Sequence, residues 1–205
     1  RASPGQRVAV ALPGVERTEV RRGDALVVPG AFPRSYRLEI ALVELEPIAD
    51  GARLSVHHGT SRIPGRVVRV GSDHAQLRLA APVVAARGDR VVLRDASTVG
   101  GGTVLDPSPP RGVDEDRDLL LQRGDPVSIV RALVHEPTRI STLAARALLT
   151  PAELEEGLDA VRVADGWAFA EAWLEEIADH TVERLAARAA AMPLDPGLSL
   201  AELLP

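Results

Sequence analysis

Through residue 112, apolar residues come in short runs separated by Gly, Pro or Asp. The runs read "RVAVAL", "ALVV", "RLEIALVEL", "ARLSVHH", "RIPGRVVRV", "AQLRLA", "DRVVLRD" and "GTVLD". Many alternate with polar or small neighbours, as Leu38, Ile40, Leu42 and Leu45 do, and a period of two is the signature of a half-buried strand. Short strands at this spacing predict a closed barrel or a sandwich, and closure removes the exposed edges that such strands would otherwise leave. The first two runs, up to Val28, are too little for a barrel of their own. They read as the tail of one domain, with residues 28–35 as a linker to the next.

Prolines at 106–112 mark a second, extended connector, and beyond it the period becomes helical. Asp125 is the predicted N-cap of a helix with Pro126 in its first turn. Pro126, Ile129, Val130, Leu133 and Val134 fall on one face, and Pro137 ends the helix. Ser141 is the predicted cap of a short second helix through Leu148. "TPAE" at 150–153 is a capping box opening a third, striped by Leu154, Leu158 and Val161. Asp165-Gly166 then joins two β-like runs as a hairpin turn. Three helices followed by a small hairpin is the winged-helix order, with Val130, Leu133, Leu143, Leu154, Leu158 and Trp167 as its expected core. A long helix over about 171–191 follows, and Ser199 with Glu202 suggests a further capped helix. The expected fold class is therefore multidomain, β then α: a β-barrel followed by a winged-helix (α+β) domain. Its expected divisions are 1–30, 31–108, 109–191 and 192–205, with both ends falling inside domains. No repeat of 20–50 residues is visible.

Composition narrows the chemistry. The 205 residues include no cysteine, which excludes disulfides, thiolate metal sites and cysteine nucleophiles. Every one of the 24 Lys-plus-Arg residues is arginine. Two Trp, one Tyr and two Phe leave few rings for a single-strand stacking platform. No apolar run approaches a membrane span and no signal peptide opens the chain, so the expected setting is soluble and cytoplasmic. The formal net charge of −5 conceals an asymmetry: residues 1–112 carry 16 Arg against 11 Asp plus Glu, and residues 113–205 carry 8 against 18. The first part suits a phosphate backbone, and the second repels one.

Few residues pattern as catalytic. No "GxxxxGK[ST]" occurs, so the chain has no standard phosphate-binding loop. His57 and His58 sit side by side on a strand and point to opposite faces. His74, His135 and His180 lack ligand-spaced partners, and Ser97, Ser108 and Ser128 lack a nucleophile elbow. The acidic run at 114–118 reads as a solvated linker or a helix start. Glu39, Glu44 and Glu46 are barrel carboxylates with no base or metal beside them. Three consecutive glycines, Gly100, Gly101 and Gly102, interrupt a strand pattern. They imply a bulge, a barrel corner or a close backbone approach, to an RNA phosphodiester for instance. Arg62, Arg66, Arg69 and Arg78 form a basic set on the central strands, and the even spacing of Arg62 and Arg66 puts both on one face as possible RNA backbone contacts.

Three stretches carry a resemblance. "VVLRDASTVGGGTVLDP" is similar to the last hairpin of the elongation factor Tu family, and "GQRVAVALPGVERTEVRRGDALVVPG" to the end of that family's second domain. The triple glycine followed by "VLDP", with "LSVHHGTSRIPGRVVRV" between them, most resembles the selenocysteine-specific branch. The resemblance implies a segment holding the end of domain II, barrel domain III and the first winged helix. It implies binding of selenocysteinyl-tRNA through Arg22, Gly23, Thr98, Val99, Gly100, Gly101 and Gly102. Asp24 stands where the family has glutamine, and Ser97 where it has arginine. It further implies work on the ribosome at UGA codons, and an mRNA hairpin held by distal winged helices outside these residues. GTP and Mg²⁺ would belong to an N-terminal GTPase domain that these residues do not include, leaving this segment non-enzymatic, without a cofactor or metal. The alternative is a winged-helix nucleic-acid-binding regulator with a barrel module, reading the major groove through residues 151–163. The acids Glu153, Glu155, Glu156 and Asp159 oppose that alternative.

Overall fold

The computed structural model describes residues 3, 5–195 and 197–199. Six strands close into an antiparallel barrel: β1 (Arg34–Glu44), β2 (Arg53–His58), β3 (Ser61–Val70), β4 (His74–Val84), β5 (Arg90–Arg94) and β6 (Thr98–Asp106). Around the ring they run β1-β4-β3-β2-β5-β6. Strand alternation fills the barrel. On β3, Ile63, Gly65 and Val67 point inward, while Arg62, Pro64 and Arg66 are exposed. On β5, Val91 and Leu93 are buried between exposed Arg90, Val92 and Arg94. Leu38, Ile40, Leu77, Leu93 and Val104 are fully buried at the centre. Leu45, expected to continue the β1 alternation, lies past the strand end and is 71% exposed.

The runs at 7–12 and 25–28 form no strand. A strand needs a partner edge for its ladder, and the described residues offer these runs none. Their apolar side chains stay in solvent, with Val10 at 57% and Leu26 at 73% exposed.

Past the proline connector, α1 (Glu115–Arg123) starts on the Asp114 carboxylate, which accepts from the Arg117 N–H, and stops at left-handed Gly124. The acidic run is thus a helix start, but one of its members, Asp118, is buried rather than solvated. Helix α2 (Pro126–Leu133) is capped by Asp125. Then come β7 (Thr138–Arg139), α3 (Ile140–Ala145), α4 (Pro151–Leu158), β8 (Arg162–Ala164) and β9 (Trp167–Phe169), with a three-stranded sheet in the order β7-β9-β8. This is a winged helix. Thr150 and Glu153 close a reciprocal capping box at α4, and the wing turns on Asp165 and Gly166, both at positive φ. Helix α3 begins before Ser141, at Ile140, with Arg139 as an N-cap residue that makes no side-chain cap, because β7 feeds straight into it. Val130, Leu143 and Leu154 are core, Leu133 and Leu158 pack partly buried against them, and Ala168 rather than Trp167 is the fully buried wing residue. The strand period sends Trp167 to the opposite face, where the Arg139 guanidinium lies 4.5 Å from its ring centroid. Helix α5 (Glu171–Ala191) buries no residue. The capping box expected at Ser199 and Glu202 reaches outside the described residues.

A third apolar cluster joins the two units. Leu105 on β6 packs with Leu121 on α1, Ile129 on α2 and Leu148, each at most 4% exposed.

Candidate nucleic-acid interface

Strand register aligns four arginines across four neighbouring strands. Arg53 on β2 pairs opposite Arg66 on β3, Arg66 opposite Arg78 on β4, and Arg78 opposite Arg37 on β1. Directly opposed residues share a face and sit about 5 Å apart at Cβ, where like charges repel. Nothing in the adjoining groove offsets this. The groove holds about 780 Å³ and is lined by Arg53, Arg62, Arg66 and Arg78 over a floor of Leu54, Pro64, Gly65, Leu79 and Ala80, with no carboxylate. None of these four arginines has an ion pair among the described residues. Arg62 is oriented by donation from Nε to the Ser55 hydroxyl at 2.9 Å, and Arg66 reaches over Gly51. Guanidiniums fixed through Nε keep their Nη edges for a planar bidentate anion, which is the geometry of phosphate recognition.

Of the sequence-derived basic set, Arg69 does not join. It bonds Glu44 at 2.7 Å and the carbonyls of Ile48 and Ser72, and this hydrogen bond, with that from the Ile48 N–H, holds the Glu44 carboxyl below its ordinary range. Arg53 and Arg37 do join and were not singled out from the sequence, because only the register brings them beside Arg66 and Arg78.

Arg22 and Gly23 lie next to the groove. The Ser61 hydroxyl donates to the Gly23 carbonyl at 2.9 Å, so the N-terminal segment docks on the β2–β3 turn beside Arg62. Gly23 has φ +106°, and a Cβ there would sit 2.8 Å from that hydroxyl oxygen. Asp24 accepts from the Arg21 N–H at 2.7 Å and closes the turn, so it is not committed to Arg22. The Arg22 side chain is exposed and has no partner among the described residues.

The glycine-rich strand is elsewhere. In the ring order β6 stands opposite β3. None of Gly100–Gly102 has positive φ. A Cβ on Gly100 would lie 2.6 Å from the Val43 carbonyl oxygen, and Cβ atoms on Gly101 and Gly102 would run into the carbonyls of Val91 and Ala41. The backbones that approach closely are therefore those of β1 and β5. Val99 and Gly100 are buried, and Thr98 is exposed at the strand's start.

Three of the remaining candidates are held by protein partners. His58 bonds Asp89 at 2.9 Å, and His74 is buried with Nε2 2.6 Å from Gln122 Oε1. Glu39 is 2% exposed and lines none of the described cavities; it accepts from Gln76 at 3.3 Å. Among the described residues no group of three or more His, Asp or Glu is placed to hold a metal, and no helix is long and apolar enough to cross a membrane.

Residues 35–111 match the family described as the selenocysteine-specific elongation factor beta-barrel domain. The chain is 36% identical over 120 residues to the selenocysteine-specific elongation factor of Escherichia coli, covering 54% of this chain and 19% of that protein. It is 26% identical over 194 residues to the corresponding factor of Haemophilus influenzae, covering 84% of this chain and 31% of that one. A crystal structure of a bacterial selenocysteine-specific elongation factor, EF-Sec, superposes with a TM-score of 0.64 over 94% of this chain and 33% of its own, at 16% identity, a likeness of fold. The chain thus spans between a fifth and a third of the length of these relatives. The barrel of this chain is thus similar to that of the selenocysteine-specific elongation factors, and the similarity runs on through the winged helix.

Proposed function

We propose that this chain is the tRNA-gripping and arm-joining segment of such a factor, acting at UGA codons on the ribosome in the cytoplasm. The barrel holds selenocysteinyl-tRNA. Arg62 and Arg66 take its phosphates together with Arg53 and Arg78, while Arg22 and Gly23 touch the RNA beside them. Thr98 is the exposed contact of the Thr98–Gly102 stretch, whose glycines let β6 close the barrel. The winged helix links the barrel to a more distal arm that holds the mRNA hairpin. GTP and Mg²⁺ act elsewhere in the factor. This chain's residues do not fit them, since the sequence has no phosphate-binding loop and no lysine to complete one, and among the described residues no carboxylate cluster is placed for the ion.

The observation that carries the reading is the row of directly opposed arginines facing a groove without a carboxylate. Such a row is stabilised by a polyanion, and counterion release makes the binding strongly salt-dependent. The acidic winged helix suits a spacer: α4 carries Glu153, Glu155 and Glu156 and no basic residue. The test is fluorescence anisotropy of the 205-residue chain with labelled selenocysteine tRNA across a salt series. The double variant R62A/R66A should bind more weakly and lower the slope of log K against log salt by roughly 1 per arginine. An unchanged affinity and slope would remove the groove from RNA binding. Equal affinity for an ordinary elongator tRNA would leave RNA binding in place and take selenocysteine specificity away from this segment.

A further inference from the structure

The arginine row does not stop at the groove. At its β1 end, Tyr36, Arg37, Arg78, Leu79 and Arg111 line a second cavity of about 270 Å³. We propose that this cavity is a second RNA subsite, in which Arg37, Arg78 and Arg111 hold a backbone phosphate and Tyr36 stacks on the adjoining base. The bound RNA thereby touches the proline connector that leads to the winged helix. The inference rests on the reading that the barrel binds RNA, and extends it to residues outside the groove.

Four observations build the subsite. First, β1 breaks register between Ser35 and Arg37. The Ser35 hydroxyl accepts from the Arg37 N–H at 3.0 Å and donates to the Arg37 carbonyl at 2.9 Å, closing the irregularity on itself. Bulges re-aim side chains, and this one turns Tyr36 and Arg37 to the same cavity. Second, both strand guanidiniums are oriented through Nε alone. Arg37 donates to the Pro109 carbonyl at 3.2 Å and Arg78 to Gln76 Oε1 at 3.1 Å. Their Nη groups have no partner among the described residues, and no carboxylate lines the cavity. Third, the connector is tied down here, since Gln76 also donates from Nε2 to the Pro110 carbonyl at 3.1 Å. Arg111 is therefore presented from a fixed backbone. Fourth, Tyr36 is 56% exposed in a chain with a single tyrosine. An exposed ring beside three unpaired guanidiniums is the pairing of base platform and phosphate clamp that single nucleotides recognise.

The experiment uses the 205-residue chain and the same labelled tRNA, comparing R37Q, R111Q, Y36A and Y36F with R62Q. R37Q and R111Q should each weaken binding several-fold and lower the salt slope by about 1. Y36A should weaken it by roughly 5- to 100-fold with no change of slope, and Y36F should restore it, because stacking needs the ring and not the hydroxyl. Thermal unfolding checks that each variant folds. Arg111, exposed on the connector, keeps the test decisive if R37Q unsettles Pro109. Parent-like binding by R111Q and Y36A, with R62Q weakened, overturns the subsite and leaves the groove. Parent-like binding by all of them overturns both. Loss of the Arg37 and Arg111 effects when inorganic phosphate replaces chloride at equal ionic strength makes the cavity a free-anion site and overturns the proposal as well.

Discussion

Gly101 separates two explanations of the triple glycine. Its missing Cβ makes room for the Val91 carbonyl and for Val92, 3.4 Å away, both on β5. Substitution by alanine overpacks a closed ring that has no free edge to yield. The expected cost of G101A is about 1–3 kcal/mol, read as a fall of roughly 4–15 °C in the barrel's unfolding temperature. A ligand-contact role predicts the reverse pattern, unchanged unfolding with weakened RNA binding, and that result would return the glycines to the RNA. The sequence showed that these glycines need a close backbone, but not which backbone, because β1 and β5 are brought to them only by closure. The arginines divide in the same way. Arg62 and Arg66 are legible from their even spacing, whereas Arg53 and Arg37 enter only through cross-strand register. Arg69, three residues beyond Arg66, is out of that phase and turns to Glu44. Trp167 leaves the expected core because one residue of phase decides which of two neighbours, Trp167 or Ala168, faces it.

At the scale of elements, β1 and α1 meet through carboxyls. Glu39 on β1 and Asp118 on α1 are 2% and 1% exposed, and neither Asp118 oxygen has a hydrogen-bond partner among the described residues. The charges facing them are Asp106 from β6, itself ion-paired to Arg117, with Asp114 and Arg117 from α1. Gln76 faces Glu39 from β4. Burial, with Asp118 and Asp106 adding to it, pushes Glu39 up to about 7. Burial pushes Asp118 up to about 6 against the pull of Arg117. A carboxyl whose pKa is raised by folding binds its proton more tightly folded than unfolded. Its contribution is complete below the unfolded value, 4.5 for Glu39 and 3.8 for Asp118, and is lost as pH rises through the folded one. Stability should therefore decline between about pH 4 and 7 and level off above, by on the order of 3 kcal/mol from Glu39. E39Q keeps a neutral hydrogen-bonding side chain, so it should flatten the profile and unfold later than the parent at pH 8. A parent whose unfolding temperature climbs across that window would show the pair ionised and held by Arg117. This contact was not legible beforehand. The six strands of the barrel could be read from alternation and the helix caps from Asp125 and Thr150. Helix α1, by contrast, presents an acidic first turn and a block of three leucines instead of a helical period.

At the scale of the whole molecule, the question is whether the barrel and winged helix move as one body. Arg87, in the β4–β5 connection, reaches across. Its N–H bonds the Ala147 carbonyl at 2.9 Å, its Nε the Leu148 carbonyl at 2.5 Å, and its Nη2 Glu153 at 2.6 Å. Ala147 has φ 53°, a left-handed conformation costing roughly 1–2 kcal/mol for a residue with a Cβ, so the turn that Arg87 grips is one its neighbours must hold in place. Glu153 closes the α4 capping box at the same time. One guanidinium therefore joins the barrel to the start of a winged-helix helix, above the shared Leu105–Leu121–Ile129–Leu148 core. A proline connector alone would allow a swivel, whereas this junction fixes an angle, so RNA seated on the barrel sets the direction of whatever the winged helix carries. The chain has no cysteine, so spin labels at R94C on β5 and R131C on α2 are its only two. Both positions are exposed. The parent should give one narrow distance distribution. R87A should broaden it or add a second population while the circular dichroism of both units is retained, because the apolar cluster still attracts but no longer has a directional bond to orient it. Equal widths would assign the angle to the leucine cluster and the connector. L105A would then be the variant that frees it, and Arg87 would serve only to hold the strained turn.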